Sequence, residues 1–369
     1  MKNGCIVVGA GIVGMLAARE LARAGVSVLL LDRGDAGREA SWAGGGILAP
    51  LGPWHYPDPV WALCEASQPL YRELCAGLNV GGFGDPELTQ SGLLVLDPDE
   101  VVSGQGWAES RRVKARRLDA AELAAAEPEL AVAAGGALLL PDTGQVRNPR
   151  LLAALRAELE ALGVVVRESV TVVGLDLAAG QVRGVVTSAG PVYGESVVIA
   201  AGAWSGQLLQ GLGAAPDVRP VRGQMLLFEA RPGLMRHIPL LVDRYLVPRR
   251  DGRVLVGSTS EQVGFDKGTT ASARQALEEF AFSLVPALRR YPVTAHWAGL
   301  RPGSPCGIPY IGAHPHVRGL FVSTGHYRNG LCTAPASARL LVDLMLGRPA
   351  TIDPVPFALT DSRIARESW

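Results

Sequence analysis

The sequence predicts an α/β fold in which a parallel sheet, assembled from separate segments of the chain, is joined to a second α+β domain built on an antiparallel sheet. Two observations support this prediction. Residues 5–32 have the pattern of a strand, a glycine turn, a helix and a second strand, which is the βαβ unit of a parallel sheet. Similar segments return in the middle and at the end of the chain, with two β-rich insertions between them.

The opening unit has the spacing of a dinucleotide site. Gly9, Gly11 and Gly14 form a G-x-G-x-x-G turn between an apolar strand and a helical segment. Such glycines permit the tight turn, the approach of the backbone to a pyrophosphate and close packing of helix on strand, while the helix N-terminus offers unpaired amides. Asp32 follows at about the 20-residue offset at which a carboxylate binds a ribose hydroxyl. This context favours a Rossmann-like site over a glycine turn without a ligand.

Composition narrows the classes of function. The 369 residues contain 35 Lys plus Arg and 35 Asp plus Glu, so no net charge favours a nucleic acid, an anionic membrane or an acidic partner. No apolar run approaches the ~20 residues of a membrane span. The five cysteines are scattered without metal-type spacing, which predicts reduced thiols in a cytoplasmic protein and no metal site. They are Cys5, Cys64, Cys75, Cys306 and Cys332.

The remaining pattern defines the expected elements and domains. Asn148 and Pro149 are expected as N-cap and first residue of a helix, and the glycine-rich residues 39–50 are expected to be neither regular helix nor strand. Further helices are predicted over 59–78, 271–290 and 335–346, and strands over 93–97, 164–173, 182–187, 196–200 and 319–323. The first domain is expected to comprise 1–75, 145–215 and 297–369, and the second domain 76–144 and 216–296.

Four motifs add to the glycine turn. They are EASWAGGGILAP at 39–50, AGAWS at 201–205, HWAGLRPG at 296–303 and GHYRNG at 325–330. Together they resemble the glycine oxidase family (ThiO of thiamine synthesis), in the D-amino-acid oxidase class of FAD-dependent amine oxidoreductases, over essentially the whole chain. The resemblance implies noncovalently bound FAD and oxidative deamination of glycine, and of sarcosine or small D-amino acids, with release of hydrogen peroxide.

The matching positions imply where FAD binds. Asp32 and Arg33 are expected at the adenosine end, Val172 at the adenine, and residues 326–331 at the flavin, where amides at the start of the last helix stabilise negative charge on the reduced ring. The full set implied is Gly9, Gly11, Ile12, Val13, Gly14, Asp32, Arg33, Ala40, Ser41, Gly45, Gly46, Ile47, Val172, His326, Tyr327, Arg328, Asn329, Gly330 and Leu331.

Three side chains are the candidate catalytic residues. Arg301 is expected to hold the substrate carboxylate, because a guanidinium matches carboxylate geometry bidentately. It follows an apolar run and precedes Pro-Gly, which predicts the end of a buried strand rather than a surface ion pair. Tyr245 would donate its hydroxyl to the same carboxylate. Arg328 would add charge nearby, with a backbone contact to FAD as its competing role.

The resemblance also implies the reaction. Hydride passes from the substrate α-carbon to flavin N5 and gives an imine, which water hydrolyses to glyoxylate, with ammonia or an amine, unless a thiazole-forming partner captures it. No side-chain base is needed if the amine binds neutral, so His326 is expected to be structural. A homo-oligomer, in the family a tetramer, is also implied.

The sequence departs from the family pattern at two places, and two rival functions stay open. Ile47 and Ser260 stand where some family members have methionines lining the substrate cavity, which leaves the preference among small amino acids open. Cys306 lies near Arg301, as does the flavin-bound cysteine of related sarcosine oxidases, but its setting lacks their attachment motif, so a free thiol is expected. The rivals are a related dehydrogenase that reduces a quinone and a non-catalytic flavin-binding protein.

Overall fold

The computed structural model describes residues 3–131 and 136–366. The predicted domain segments also include residues 1, 2, 132–135 and 367–369, which lie outside the described residues. The strands are β1 (Asn3–Val8), β2 (Val28–Leu31), β3 (Thr89–Gln90), β4 (Leu93–Val95), β5 (Arg116–Leu118), β6 (Ala137–Leu140), β7 (Gly144–Gln145), β8 (Val165–Arg167), β9 (Val172–Ala178), β10 (Gln181–Thr187), β11 (Gly190–Ile199), β12 (Arg219–Phe228), β13 (Ile238–Leu241), β14 (Arg244–Pro248), β15 (Val254–Gly257), β16 (Val293–Gly303), β17 (Tyr310–Ala313) and β18 (Leu320–Thr324). The helices are α1 (Ile12–Arg23), α2 (Ala40–Ala43), α3 (Asp58–Val80), α4 (Pro98–Arg111), α5 (Ala120–Ala126), α6 (Asn148–Ala161), α7 (Ser205–Leu208), α8 (Ala271–Leu284), α9 (Gly330–Met345) and α10 (Asp361–Arg366).

The first sheet has the order β17-β18-β11-β1-β2-β8, and β9 and β10 extend from β11. Its central strands are parallel, as β1 pairs in parallel with both β11 and β2. Alternate residues of these strands enter two different cores. Cys5 and Val7 pack under α1, α3, α6 and α9, whereas Ile6 and Val8 face the layer that contains β9 and β10. The predicted Rossmann-like, discontinuous α/β domain is confirmed.

The second sheet has the order β16-β12-β15-β14-β13-β4-β6-β5. Its pairs are antiparallel except for β13 with β4, which is parallel. One face carries a core with α8, to which Leu226 and Leu277 contribute. The other face contributes Met225, Tyr245 and Leu255 to a core shared with Ile47 of the first domain. The predicted antiparallel α+β unit is therefore present, and its inner face turns toward the first domain.

Several expected boundaries differ from the structure. The helix predicted over 335–346 is α9, which begins at Gly330 and includes Pro335. Proline cannot donate to the carbonyl four residues earlier, and the Tyr71 hydroxyl donates to that Leu331 carbonyl instead, at 2.6 Å. The predicted strand 164–173 is two strands, with Ser169 between them at a φ of 57°.

Asn148 does not cap its helix. It is the first residue of α6, and Arg147 occupies the N-cap position. The Asn148 amide instead donates to the carbonyl of Ser41, at 2.6 Å. The residue therefore ties α6 to the glycine-rich segment 39–50, in which a short helix, α2, precedes the glycines.

Two elements run across the predicted domain limits. β16 continues through residue 297 and pairs along its length with β12 of the second sheet. α3 continues past residue 75 and packs on α9. The domain limits stay predictions. In the parts of the chain that the structure describes, no helix is both long and apolar enough to cross a membrane.

Candidate active site

A cavity of about 570 Å³ extends from the glycine turn of the first domain to the inner face of the second sheet. Almost every site residue implied by the sequence motifs lies on the wall of this cavity. Gly14 is the exception, because it lies under the turn rather than on the cavity wall. The predicted residues on the wall are Gly9, Gly11, Ile12, Val13, Asp32, Arg33, Ala40, Ser41, Gly45, Gly46, Ile47, Val172, Tyr245, Arg301, His326, Tyr327, Arg328, Asn329, Gly330 and Leu331.

The glycine turn leaves no room for side chains at two positions. Gly9 has a φ of +104°, and a Cβ there would lie 2.4 Å from the carbonyl oxygen of Ala200. A Cβ on Gly14 would lie 1.8 Å from the carbonyl oxygen of Gly9. The turn can therefore pass close under a ligand while α1 packs directly on β1.

One end of the cavity is built around Asp32. One carboxylate oxygen accepts from the amide of Ala10 at 2.8 Å, and the other accepts from the amide of Gly34 at 3.0 Å. Burial raises the pKa of this carboxyl group. The guanidinium carbon of Arg33 lies 3.5 Å from the ring centroid of Trp204, a cation–π contact. Sequence reasoning placed Trp204 in a motif but did not assign it to the site.

The glycine-rich segment forms the middle of the wall. A Cβ on Gly45 would lie 2.9 Å from the hydroxyl oxygen of Tyr245, and a Cβ on Gly46 would lie 2.1 Å from the carbonyl oxygen of Val146. Ser41 accepts a hydrogen bond from the amide of Ile12 at 2.9 Å. The segment is thus fixed against the start of α1 at one end and against the second sheet at the other.

At the opposite end lies the partly buried guanidinium of Arg301, near the end of β16. Nη1 donates to the carbonyl of Thr259 at 3.1 Å, and Nη2 donates to the hydroxyl of Ser258 at 2.7 Å. These acceptors and the more distant carbonyl of Arg222, at 3.5 Å, are neutral, and among the described residues no carboxylate forms an ion pair with Arg301. Burial lowers the pKa of this guanidinium. Within the described part of the chain its charge therefore lacks an anion, and Arg301 lies on the cavity wall.

Aromatic hydroxyls and a second arginine surround this guanidinium. Within the described residues, the Tyr245 hydroxyl has one contact of hydrogen-bond type, which is with the sulfur of Met225 at 3.9 Å. Burial lowers the pKa of Arg328, but Tyr327, Tyr56 and Asp243 together more than offset this effect, so its pKa is raised. Burial also raises the pKa of Tyr56. Sequence reasoning missed Tyr56, because no motif marks the loop that carries it.

Several buried polar atoms have no partner within the described part of the protein. They include Nε2 of His326, Nδ2 of Asn329, Oγ of Ser323 and Oδ1 of Asn148, and all four residues lie on the cavity wall. Because buried polar groups are normally hydrogen-bonded, the cavity suits a ligand with polar atoms along its length. The ring edges, ribitol and phosphates of FAD meet this requirement.

Other expectations concern residues at the edge of the cavity. Burial lowers the pKa of His326 to about 3, which makes its imidazole a poor general base near neutral pH. Cys306 is exposed and lies outside the cavity wall. Ile47 is on the wall, whereas Ser260 is not. Within residues 3–131 and 136–366, no group of His, Cys, Asp or Glu is arranged to hold a metal ion.

The chain is similar to known proteins over nearly all of its length. A family model described as DAO, FAD dependent oxidoreductase, matches residues 5–344. A glycine oxidase of Pseudomonas aeruginosa is 46% identical over 359 residues, which are 97% of this chain and 99% of that protein. A bifunctional protein ThiO/ThiG of Trichormus variabilis is 34% identical over 365 residues, which are 94% of this chain and 53% of that protein. The crystal structure of glycine oxidase from Geobacillus kaustophilus matches with a TM-score of 0.93 and 31% identity, covering 97% of this chain and 98% of that chain.

Proposed function

The chain belongs to the FAD dependent oxidoreductase family, and from that premise we propose that it is an oxidase that deaminates glycine. Its cofactor is FAD. The observation that supports the substrate is Arg301, a partly buried guanidinium without an anionic partner among the described residues, at the end of the cavity. An α-amino acid brings the carboxylate that this charge lacks, and the planar guanidinium suits a bidentate contact.

The contribution of the protein in this proposal is orientation. When bound, FAD supplies the electron sink that accepts a hydride from carbon. Arg301 and the Tyr245 hydroxyl hold the carboxylate, so that the α-carbon is presented in one orientation, and correct placement of this kind lowers the barrier substantially. Residues 326–330 lead into the N-terminus of α9 on the cavity wall, where the helix dipole favours negative charge.

Among the described residues at this end, His326, Tyr56 and the arginines are poorly suited to remove a proton from the substrate. His326 is buried and its pKa is lowered to about 3, and Tyr56 has its pKa raised by burial. Arginine is a poor base because it stays protonated. These properties support a reaction in which the amine binds neutral and its lone pair assists loss of hydride, without a catalytic base.

The finer parts of the proposal concern substrate range, products and partners. Ile47, Met225 and Tyr245 form a buried apolar cluster beside the site, which favours glycine, sarcosine or a small D-amino acid over larger substrates. The products are the imine or glyoxylate, ammonia or an amine, and hydrogen peroxide from oxygen. A thiazole-forming partner is proposed because a relative carries the printed name ThiO/ThiG. A cytoplasmic location and a homo-oligomer complete the proposal.

Oxygen consumption with glycine, measured on the purified FAD-loaded protein, tests this function. We expect oxygen uptake with an equal amount of peroxide, and comparison with sarcosine and D-alanine ranks the substrates. If glycine reduces the flavin without oxygen but the reduced protein reacts only with a quinone, the protein is a dehydrogenase. If no small amino acid reduces the flavin, the proposed catalytic function is wrong.

A further inference from the structure

A second enclosed cation lies close to the cavity, and the proposed reaction does not use it. Arg249 follows β14, and its guanidinium points inward. Nη1 donates to Oε1 of Gln145 at 2.6 Å and to the carbonyl of Val146 at 2.9 Å, and Nη2 donates to the carbonyl of Gly45 at 3.0 Å. Gln145 is fixed in turn by contacts to Ser91 and to a backbone carbonyl. The guanidinium is therefore held directly behind the glycine-rich segment.

The charge of Arg249 is not neutralised by an ion pair within the described residues, since its acceptors are an amide and two carbonyls. The nearest carboxylates are already engaged. Glu87 pairs with Arg147 and Arg150, and Asp251 also pairs with Arg147. Burial lowers the pKa of Arg249 to about 10, so that the group still carries its charge at neutral pH. An uncompensated enclosed charge is costly, which suggests a function for it.

The contact with Gly45 connects this charge to the cavity. In a trans peptide the carbonyl and the following amide point in opposite directions, and the Gly45–Gly46 bond is trans. Since the Gly45 carbonyl points at Arg249, the Gly46 N–H points away from it. Gly46 lies on the cavity wall, and no backbone acceptor for its amide is found in the described structure. A guanidinium on the carbonyl polarises the peptide and strengthens this donor.

We infer that Arg249 is a positioning residue for the flavin: it aims the Gly46 amide at the cofactor and places positive charge behind it. The charge favours the reduced flavin over the oxidised form, because reduction adds negative charge and the attraction acts through a poorly screened interior. This inference depends on FAD binding alone, so that failure of the glycine proposal would leave it intact.

The test measures the FAD affinity of the apoprotein and the two-electron reduction potential of the bound flavin. Arg249→Gln should bind reduced FAD about tenfold more weakly relative to oxidised FAD, a fall of about 30 mV in potential. Arg249→Lys keeps the charge but loses the planar guanidinium that binds three acceptors at once. The variant should therefore lose FAD affinity and keep a reduction potential close to that of the wild type.

Arg250→Gln is the matched control. Arg250 is the exposed neighbour in sequence and pairs with Asp85, so the variant loses the same charge without touching the glycine-rich segment. The ratio of its affinities for reduced and oxidised FAD should change less than twofold, so its reduction potential should stay close to that of the wild type.

A further variant covers the case in which Arg249→Gln does not fold or does not hold FAD. Gln145→Glu would set a carboxylate against the retained guanidinium, and the potential should again fall. An unchanged potential in Arg249→Gln, or in Gln145→Glu if the first variant fails, would overturn the inference. So would an equal fall in Arg250→Gln, because the effect would then be a general one of net charge.

Discussion

The guanidinium of Arg301 occupies the space that a side chain at Gly223 would need. A Cβ on Gly223 would lie 2.2 Å from Nη2 of Arg301. β12 and β16 pair so that Arg301 is opposite Val221, and the side chain therefore extends diagonally across the sheet over the glycine two residues further on. The lack of a side chain at Gly223 thus leaves the space through which the Arg301 side chain, the candidate carboxylate anchor, extends.

Gly223→Ala should displace this guanidinium. Because a misplacement of about 1 Å at a reacting centre can cost ~10²-fold in rate, we expect kcat/KM for glycine to fall by roughly that factor while FAD affinity is unchanged. Gly174→Ala is the control, since a Cβ at that position meets nothing within 4 Å. Wild-type kinetics in Gly223→Ala would show that the position of the Arg301 guanidinium does not matter for turnover.

Tyr245→Phe removes one hydroxyl from the same end of the cavity. The hydroxyl has only a weak sulfur contact at 3.9 Å within the described structure, so the free energy of unfolding should change little. If the hydroxyl binds the carboxylate, its loss removes a bond to a charged group, worth roughly 1.5–3 kcal/mol. Steady-state kinetics should show kcat/KM for glycine lowered at least tenfold. A loss below twofold would remove Tyr245 from the proposed site.

Asp32→Ala should weaken FAD binding and leave the order of substrates unchanged in the reconstituted enzyme. The carboxylate also accepts from the amides of Ala10 and Gly34, so the variant loosens the turn as well as the ribose contact. Asp32→Asn keeps the shape and one acceptor oxygen, and should therefore bind FAD with intermediate affinity. Titration of the apoproteins with FAD measures this order, and equal affinities for all three proteins would refute the ribose assignment.

His326 should make the apoprotein sensitive to acid. Its folded pKa is lowered from 6.5 to about 3, so the unfolded chain takes up a proton first as the pH falls. The stabilising contribution is present above about pH 6.5 and is lost as the pH falls toward the folded pKa, by at most about 1.4 kcal/mol per pH unit. Urea unfolding at several pH values should give a flatter profile for His326→Gln than for the wild type. Parallel profiles would contradict the prediction.

The sequence predicts what depends on neighbouring residues and misses what depends on distant ones. The glycine turn and Asp32 lie within one βαβ unit, so their spacing alone places them together. The function of Gly223 follows from its contact with Arg301, a residue of another strand, and no local pattern marks such a contact. Arg249 is missed for the same reason, since its contact with Gly45 joins residues that are 204 positions apart in the sequence.

Helix ends show the same limit. Pro335 predicts a helix start by its own chemistry, but a tyrosine hydroxyl from α3 satisfies the carbonyl that the proline leaves free. Asparagine is a residue type that is common at N-caps, yet the side-chain amide of Asn148 donates to the carbonyl of Ser41 instead. In both cases a contact distant in the sequence overrides the local preference.

The central claim is that Arg301 anchors the substrate carboxylate, and stopped-flow reduction of the flavin by Arg301→Lys tests it most directly. Lysine keeps the charge but loses the bidentate fork. The rate with glycine should fall roughly 10²-fold, while the rate with a simple amine that lacks a carboxylate stays close to that of the wild type and FAD content is unchanged. If the variant loses as much rate with the amine as with glycine, Arg301 does not anchor the carboxylate and the proposed site is wrong.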